Sequence, residues 1–149
     1  EIVNAAIADR PADMMVTMHI CRGNYRSTWF ASGGYDPVAP ELFANAKLDG
    51  FFLEYDTNRA GDFSPLRHIK DQQVVLGLVS SKTGELENAD DVKERIAEAT
   101  AIVPINQLRL SPQCGFSSTE EGNTLSEAEQ WAKMRFIVET AESIWKPAQ

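Results

Sequence analysis

A histidine stands two positions before one of the two cysteines of this 149-residue chain. His19 lies within the apolar stretch MMVTMHI, residues 14–20, whose short length and composition favour a strand, and Cys21 directly follows it. Side chains at positions i and i+2 of a strand point to the same side, so both groups can approach one ion. Imidazole and thiolate are zinc ligands. Taken alone the pair is a weak signal, because a satisfied core histidine beside a buried thiol gives the same pattern.

The chain alternates short apolar runs with helical patterns. Strands are predicted over four runs, namely residues 14–20, 50–56, 74–79 and 107–112. Helices are predicted over residues 2–10, 38–48, 65–70, 89–103 and 127–145. This order indicates an α/β fold with a parallel sheet. Two architectures remain open at this point, an open doubly wound sheet and a (β/α) barrel.

Capping signals mark the starts of the predicted helices. Asp36 followed by Pro37 is typical of an N-cap with proline in the first helical position. Asn88 is expected to cap the next long helix, and Ser126 with Glu129 has the spacing of a capping box. In the last helix a stripe at helical spacing predicts the core-facing side, namely Ala128, Trp131, Ile137 or Val138, Ala141 and Trp145.

Further metal-ligand candidates stand at the ends of other predicted strands. Glu54 lies near the end of the second strand, and Cys114 follows the fourth. The carboxyl ends of parallel strands meet at one rim, where active sites of α/β proteins lie. We therefore expect both residues to approach His19 and Cys21, and four such ligands satisfy a tetrahedral zinc ion. The alternative for Glu54 is an ion pair with an arginine such as Arg59.

The distance between the outer strands helps to choose the architecture. Neighbouring strands lie about 4.8 Å apart, so the first and fourth strands of a flat sheet are separated by about 14 Å. One zinc ion with bonds of about 2.3 Å cannot bridge that gap, whereas a curved sheet brings the strand ends together. A full (β/α)8 TIM-type barrel needs eight units and about 250 residues. The chain therefore reads as one domain, residues 1–149, that supplies about four βα units, half of such a barrel.

Composition excludes several classes of partner. The formal net charge is −8 and the basic residues are not clustered, which argues against a nucleic-acid-binding protein. No apolar run approaches the roughly 20 residues needed to span a bilayer. Two cysteines do not make a disulfide framework. We expect a cytoplasmic protein.

Five segments together resemble a known family. They are MHICRGN, GGYDPVA, FFLEYDTNRAGDFSPLR, VVLGLVSSKTGELE and LRLSPQCGFSS. In this order they are similar to the C-terminal catalytic barrel of cobalamin-independent methionine synthase, and most of all to its short relatives of the methionine synthase II type. The resemblance covers about residues 11–145 and corresponds to the second half of that barrel.

The resemblance implies a zinc enzyme. Its ligands would be His19, Cys21, Glu54 and Cys114, and the reaction would move a methyl group from 5-methyltetrahydrofolate, or a related donor, to the homocysteine thiol to form methionine. Zinc would make the thiolate nucleophile. One alternative is a zinc-dependent thiol alkyltransferase with another donor or thiol, such as the epoxyalkane–coenzyme M type. Another is a truncated fragment without catalysis.

Substrate-binding candidates surround the proposed ligands. Arg22 and Arg26, in the loop after the first strand, could bind an anionic group such as the amino-acid carboxylate or the glutamates of the donor. Asp56, Arg59 and Ser80 follow the second and third strands and are further candidates.

Two features of the long enzymes are absent from this chain, a histidine at one strand end and the first half of the barrel. Those enzymes carry a histidine near the end of the strand that corresponds to residues 74–79, and none stands there in this sequence, so the catalytic proton donor is unassigned. A half barrel also exposes two sheet edges and an apolar interior. We therefore expect a missing barrel half or a second copy as partner, and little catalysis by this chain alone.

Overall fold

Four parallel strands form one sheet in the computed structural model, which describes residues 1–145. The strands are β1 (Thr17–Ile20), β2 (Gly50–Glu54), β3 (Gln73–Val79) and β4 (Leu108–Pro112). Their order in the sheet is β1-β2-β3-β4 and every pairing is parallel. A doubly wound sheet would reverse its order part-way, whereas consecutive order is that of a barrel. The predicted α/β half barrel is confirmed; residues 146–149 of the predicted domain lie outside the described part.

The helices are α1 (Ile2–Ala6), α2 (Ala39–Asn45), α3 (Ala89–Thr100) and α4 (Glu127–Ile144). Two predicted caps are confirmed. The Asn88 side chain accepts hydrogen bonds from two backbone N–H groups at the start of α3, and Ser126 forms a capping box with Glu129 before α4. These local bonds fix where the last two crossover helices begin.

Two helix predictions were wrong in detail. Asp36 does not cap α2, which begins at Ala39 after Val38, because the preceding residues form a turn on the carbonyl of buried Tyr35. The segment predicted as a helix over residues 65–70 is a 3-10 helix, Ser64–His68. Proline is tolerated in the first turn of a helix, but it does not determine whether that turn continues as an α-helix or as a 3-10 helix.

The predicted packing face of α4 was also wrong in part. Trp131 is 54% exposed and Val138 is 50% exposed, whereas Ile137 is buried as expected. Lys133 and Thr140 are buried instead. Lys133 is accommodated because its ammonium donates to the Glu87 carboxylate at 2.9 and 3.1 Å, a partner that helical periodicity does not reveal.

The two faces of the sheet differ in exposure. Phe51 and Leu53 of β2 are buried, and Phe51 packs against Phe43 of α2 with ring centroids 4.9 Å apart. Phe52, between them, is 37% exposed and lies on the opposite side, which we call the inner face. His19 is in register with Phe52 and shares that face. The helices therefore cover one side of the sheet, and the chemistry-bearing side chains lie on the other.

Glycine permits a close approach between β3 and the end of β4. The pairing shifts register between Gly77 and Val79. A Cβ at Gly77 would lie 2.8 Å from the Cα of Gln113 and 2.8 Å from the carbonyl oxygen of Leu53, closer than side chains tolerate. The chain leaving β4 is therefore held directly against β3, immediately before Cys114.

Among residues 1–145, no helix is both long enough and apolar enough to cross a bilayer.

Candidate metal centre

Three of the predicted ligands converge at the carboxyl rim of the sheet. The ligand atoms of His19, Cys21 and Cys114 all lie within 4.8 Å of one another. The Nε2 atom of His19 is 3.4 Å from the Sγ atom of Cys114. Cys114 is buried, whereas Cys21 and His19 are exposed on the inner face. An imidazole and two thiols that meet in this way form a donor set suited to zinc.

The fold explains how distant residues meet. β1 and β4 are the outer strands of the sheet, and a flat sheet would hold them about 14 Å apart. Curvature of the sheet turns the carboxyl ends of its strands towards a common centre. His19 projects from β1 itself, Cys21 follows β1 directly, and Cys114 follows β4 by two positions.

Glu54 lies beside this cluster and has other partners. Its side chain is fully buried, its Oε2 accepts from the Arg22 backbone N–H at 2.7 Å, and its Oε1 accepts from the Arg59 guanidinium. The alternative that the sequence left open, a pair with Arg59, is therefore present. Glu54 is not part of the three-residue cluster, so its role as the fourth ligand stays a prediction.

Asp56 and Arg59 extend the buried charges behind Glu54. The Arg59 Nη2 atom is 3.5 Å from Oδ1 of Asp56, whose side chain is fully buried. Within residues 1–145 neither carboxyl oxygen of Asp56 has a hydrogen-bond partner. Burial, and then the charge of Glu54, raises the pKa of Asp56 above its usual value. The Arg59 guanidinium also stacks on Trp29, 4.5 Å from the ring centroid.

The other predicted substrate-binding residues fall in different environments. Arg22 is 8% exposed, and its guanidinium donates to the carbonyls of Gly33 at 2.6 Å and Glu54 at 3.1 Å. These bonds organise the loop after β1, so this guanidinium is largely committed to backbone oxygens. Arg26 is exposed in the same loop. Ser80 is half-buried, and its N–H donates to Glu87 at 2.8 Å. Their binding of substrate stays a prediction.

Tyr35 is a site residue that sequence reasoning missed. Its hydroxyl accepts from the Glu54 N–H at 2.8 Å and from the Arg22 guanidinium at 3.1 Å, and donates to the Ile20 carbonyl at 3.0 Å. It thereby ties the ends of β1 and β2. Burial raises the pKa of Tyr35, so it remains a neutral donor. In the sequence, Tyr35 stands out only as an aromatic residue in the segment GGYD.

Asn24 and Lys82 were also missed. Both are buried, at 6% and 3% exposure, in loops that the sequence marks as polar and turn-forming. The Lys82 ammonium lies 5.8 Å from the centroid of the Trp29 ring. A burial of this degree is unusual for lysine and could not be seen from hydropathy.

The electrostatics of the thiols match a cation site. Burial, and then the neighbouring Cys21, raises the pKa of the Cys114 thiol to about 12. The Cys114 thiolate is disfavoured because it is poorly solvated and lies beside a second thiol. A divalent cation reverses this balance, since a coordinating thiol is deprotonated outright. The donor set and the burial of Cys114 therefore fit zinc.

The sequence profile of the family described as cobalamin-independent synthase, catalytic domain, matches residues 5–143. The chain belongs to the cobalamin-independent methionine synthase family. Members are methionine-synthase-like methyltransferases, and the resemblance drawn from the sequence motifs is confirmed.

Two curated relatives come from Bacillus subtilis (strain 168). The proteins YxjG and YxjH, both described as uncharacterized, are 63% and 60% identical to this chain over 146 residues. These matches cover 97% of this chain and 39% of each relative. The chain therefore spans about two fifths of the length of the curated relatives it matches.

Two solved structures share the fold. A putative vitamin-B12 independent methionine synthase from Listeria monocytogenes is 49% identical, with a TM-score of 0.74, and the match covers 97% of this chain and 39% of that chain. A B12-independent methionine synthase from Shewanella sp. W3-18-1, solved in complex with selenomethionine, is 22% identical, with a TM-score of 0.75 over 95% of this chain and 41% of that chain. The second likeness bears on the fold alone.

Proposed function

We propose that this chain carries the zinc centre of a methyltransferase that moves a methyl group from 5-methyltetrahydrofolate, or a related donor, to the thiol of homocysteine. The single observation that carries the proposal is the convergence of His19, Cys21 and Cys114 within 4.8 Å in a member of this synthase family. The zinc ion, the homocysteine and the donor belong to the proposal.

The three side chains would hold the ion, and Glu54 stands beside them as the fourth candidate. Bound zinc supplies a deprotonated thiol at neutral pH. Catalytic zinc sites keep one position open for substrate. In this chain the Glu54 carboxylate is paired with Arg59, and the fourth position on the ion would be taken either by Glu54 or by the substrate sulfur.

The chain's own residues would shape the rest of the pocket. Arg26 is exposed at the rim and is available to a carboxylate, either that of the amino acid or one of the glutamates of the donor. Asp56 presents a buried carboxyl group that accepts no hydrogen bond from a described residue, with the Arg59 guanidinium 3.5 Å away. Its position behind Glu54 supports a role in binding a hydrogen-bond donor of the substrate, such as the amino-acid ammonium. A proton donor to the leaving group is not assigned to any residue of this chain.

A partner for the inner face is part of the proposal. Phe52 is 37% exposed there, and Met14 and Met15, just before β1, are 51% and 70% exposed. Apolar side chains on an open sheet favour association. We propose that a complementary barrel half, from the same polypeptide or from a second chain, covers this face and completes the substrate pocket.

Metal analysis and activity of the full-length gene product test this function. We expect about one zinc per chain and formation of methionine from homocysteine and 5-methyltetrahydrofolate. Absence of zinc from the purified protein would contradict the metal assignment. If zinc is present and methionine forms only with a different methyl donor, the donor assignment is wrong. Alkylation of a different thiol would favour the epoxyalkane–coenzyme M type of reaction instead.

A further inference from the structure

A buried lysine holds the loop that carries Cys21. Lys82 follows β3 and is 3% exposed. Its ammonium donates to the Gly23 carbonyl at 3.1 Å and to the Asn24 Oδ1 at 3.2 Å. Buried lysines are usually paired with a carboxylate, whereas these two bonds are to neutral oxygens of one loop. The arrangement fixes the chain directly after Cys21.

Asn24 links the Cys21 loop to the loop that carries Cys114. Its Nδ2 donates to the Gly115 carbonyl at 3.0 Å and to the Ser118 hydroxyl at 2.9 Å. Gly115 directly follows Cys114, and Asn24 lies three positions after Cys21. One buried amide therefore joins the two cysteine loops, and Lys82 orients that amide from a third loop.

The sheet itself does not make this connection. β1 and β4 pair with β2 and β3 respectively, and no backbone pairing joins β1 to β4 among the described strands. Small changes in sheet curvature would therefore alter the separation of the thiols. The direct contact between His19 and Cys114 is one hydrogen bond to sulfur, 3.4 Å long. The Asn24 bridge is made to two groups of the Cys114 loop.

We propose that Asn24 and Lys82 are positioning residues of the metal centre, which hold Cys21 and Cys114 at coordinating distance across the open side of the sheet. The inference rests on the proposed zinc site. Neither residue is proposed as a ligand; they act through the loops that carry the ligands. Groups that orient metal ligands in this way typically change metal affinity by about 10- to 100-fold when they are removed.

Cobalt binding gives a direct readout of ligand positioning. The full-length gene product is stripped of metal and titrated with Co²⁺, whose thiolate-to-metal charge-transfer band reports the bound sulfurs. Asn24→Asp keeps the shape of the side chain and the acceptor for Lys82 but removes both donations to the Cys114 loop. We expect Asn24→Asp and Lys82→Met to weaken Co²⁺ binding by about 10- to 100-fold and to lower the charge-transfer intensity per ion.

Lys70→Met serves as the matched control. Lys70 also donates to a backbone carbonyl, that of Ala44 at 3.2 Å, but it is exposed and precedes β3 at the other end of the sheet. The same charge and the same type of bond are lost. We expect its Co²⁺ affinity and spectrum to equal those of the unmodified protein.

A second measurement reports the thiol geometry without any metal. The metal-free protein is equilibrated with reduced and oxidised glutathione, and the fraction with a Cys21–Cys114 disulfide gives the effective concentration of one thiol at the other. We expect the two positioning variants to lower this effective concentration by about tenfold or more. Near-ultraviolet circular dichroism confirms that each variant is folded.

The outcomes separate this inference from the proposed function. Unchanged Co²⁺ affinity together with an unchanged thiol equilibrium in folded Asn24→Asp would overturn the positioning role. If the unmodified protein binds neither Co²⁺ nor zinc, the proposed function fails, and the thiol equilibrium alone decides the positioning role. A loss confined to the two positioning variants, with Lys70→Met unaffected, supports it.

Discussion

The amino ends and the carboxyl ends of the strands hold their polar groups in different ways. At the amino end, the Asp49 carboxylate accepts two hydrogen bonds from Arg10, at 2.7 and 3.1 Å, and one from the Val16 N–H at 2.6 Å. At the carboxyl end, both oxygens of the buried Asp56 carboxyl group lack a hydrogen-bond partner within residues 1–145. One carboxyl group is saturated and the other is not.

The contrast extends to other side chains. Among the described residues, the buried side-chain atoms without a hydrogen-bond partner fall mainly after the carboxyl ends of β2 and β4, on Tyr55, Asp56, Thr57, Arg59, Gln113, Thr119 and Asn123. A buried polar group that neither protein nor water satisfies costs about 1–3 kcal/mol of stability. A polar rim of this kind is typical of the face of a barrel that carries chemistry, whereas the opposite face serves stability.

Loss of a thiol at the carboxyl rim should have the largest effect on function. Cys114→Ser removes one of three converging ligands, and serine is a poor zinc ligand. We expect zinc content to fall from about one per chain to near zero and methyl transfer to fall with it, while the urea midpoint of the metal-free protein changes little. Elemental analysis and denaturation in a chelator check this. Full zinc content in the variant would remove Cys114 from the site.

At the carboxyl rim, the charge of Arg59 should contribute strongly to the stability of the fold. Its removal in Arg59→Met leaves Glu54 and Asp56, both with fully buried side chains, without their cation. We expect the free energy of unfolding to fall by about 3–5 kcal/mol. Urea denaturation measures it.

Arg67→Met is the control for that change. Arg67 lies 3.7 Å from Asp36 and both side chains are more than half exposed, so its loss should cost less than about 1 kcal/mol. Equal losses in the two variants would show that the buried pair contributes no more than an exposed one.

The amino end should respond with stability and not with metal binding. Asp49→Asn removes the ionic bonds to Arg10 and weakens the bond from Val16. We expect a loss of about 1–2 kcal/mol, reduced from the value for a buried pair because both side chains are partly exposed. Zinc content should be unchanged. Loss of zinc in this variant would contradict the functional division between the two ends of the sheet. Glu98→Gln, which removes one carboxylate from a helical ion pair with Arg95, is the matched control for the loss of stability.

The smallest expected effect is the change with pH in the stabilisation that the Asp49 carboxylate contributes. The Val16 N–H and then Arg10 hold the pKa of Asp49 below its usual value of 3.8. A lowered pKa in the folded protein means that the stabilisation is present above pH 3.8 and is lost as the pH falls through the folded pKa. The stability difference between the unmodified protein and Asp49→Asn should therefore be constant near neutral pH and shrink in acid. A difference that stays constant down to about pH 2 would contradict this origin.

The sequence predicted the parts of this molecule that depend on local patterns. Apolar runs identified all four strands, and the caps at Asn88 and Ser126 identified two helix starts. The i, i+2 spacing placed His19 and Cys21 on one side. Burial of Lys133 and exposure of Trp131 were not predictable, because they depend on Glu87 from another loop and on how α4 lies against the sheet.

The parts of the site that depend on contacts between distant loops stayed hidden. Asn24 and Lys82 are 58 positions apart, and neither has a local motif. The pairing of Glu54 with Arg59 was visible only as an alternative, since a carboxylate at a strand end suits both a metal and an arginine. The meeting of His19 and Cys114 was, by contrast, predicted from their places at the ends of parallel strands, although strand patterns alone do not specify the curved sheet that it requires.

We propose that His19, Cys21 and Cys114 hold a metal at the carboxyl rim. X-ray absorption at the zinc edge of the full-length gene product, as purified, tests this site. We expect bound zinc with two sulfur neighbours at about 2.3 Å and at least one nitrogen neighbour at about 2.0–2.1 Å. Protein without zinc, or zinc surrounded only by oxygen and nitrogen, would contradict it.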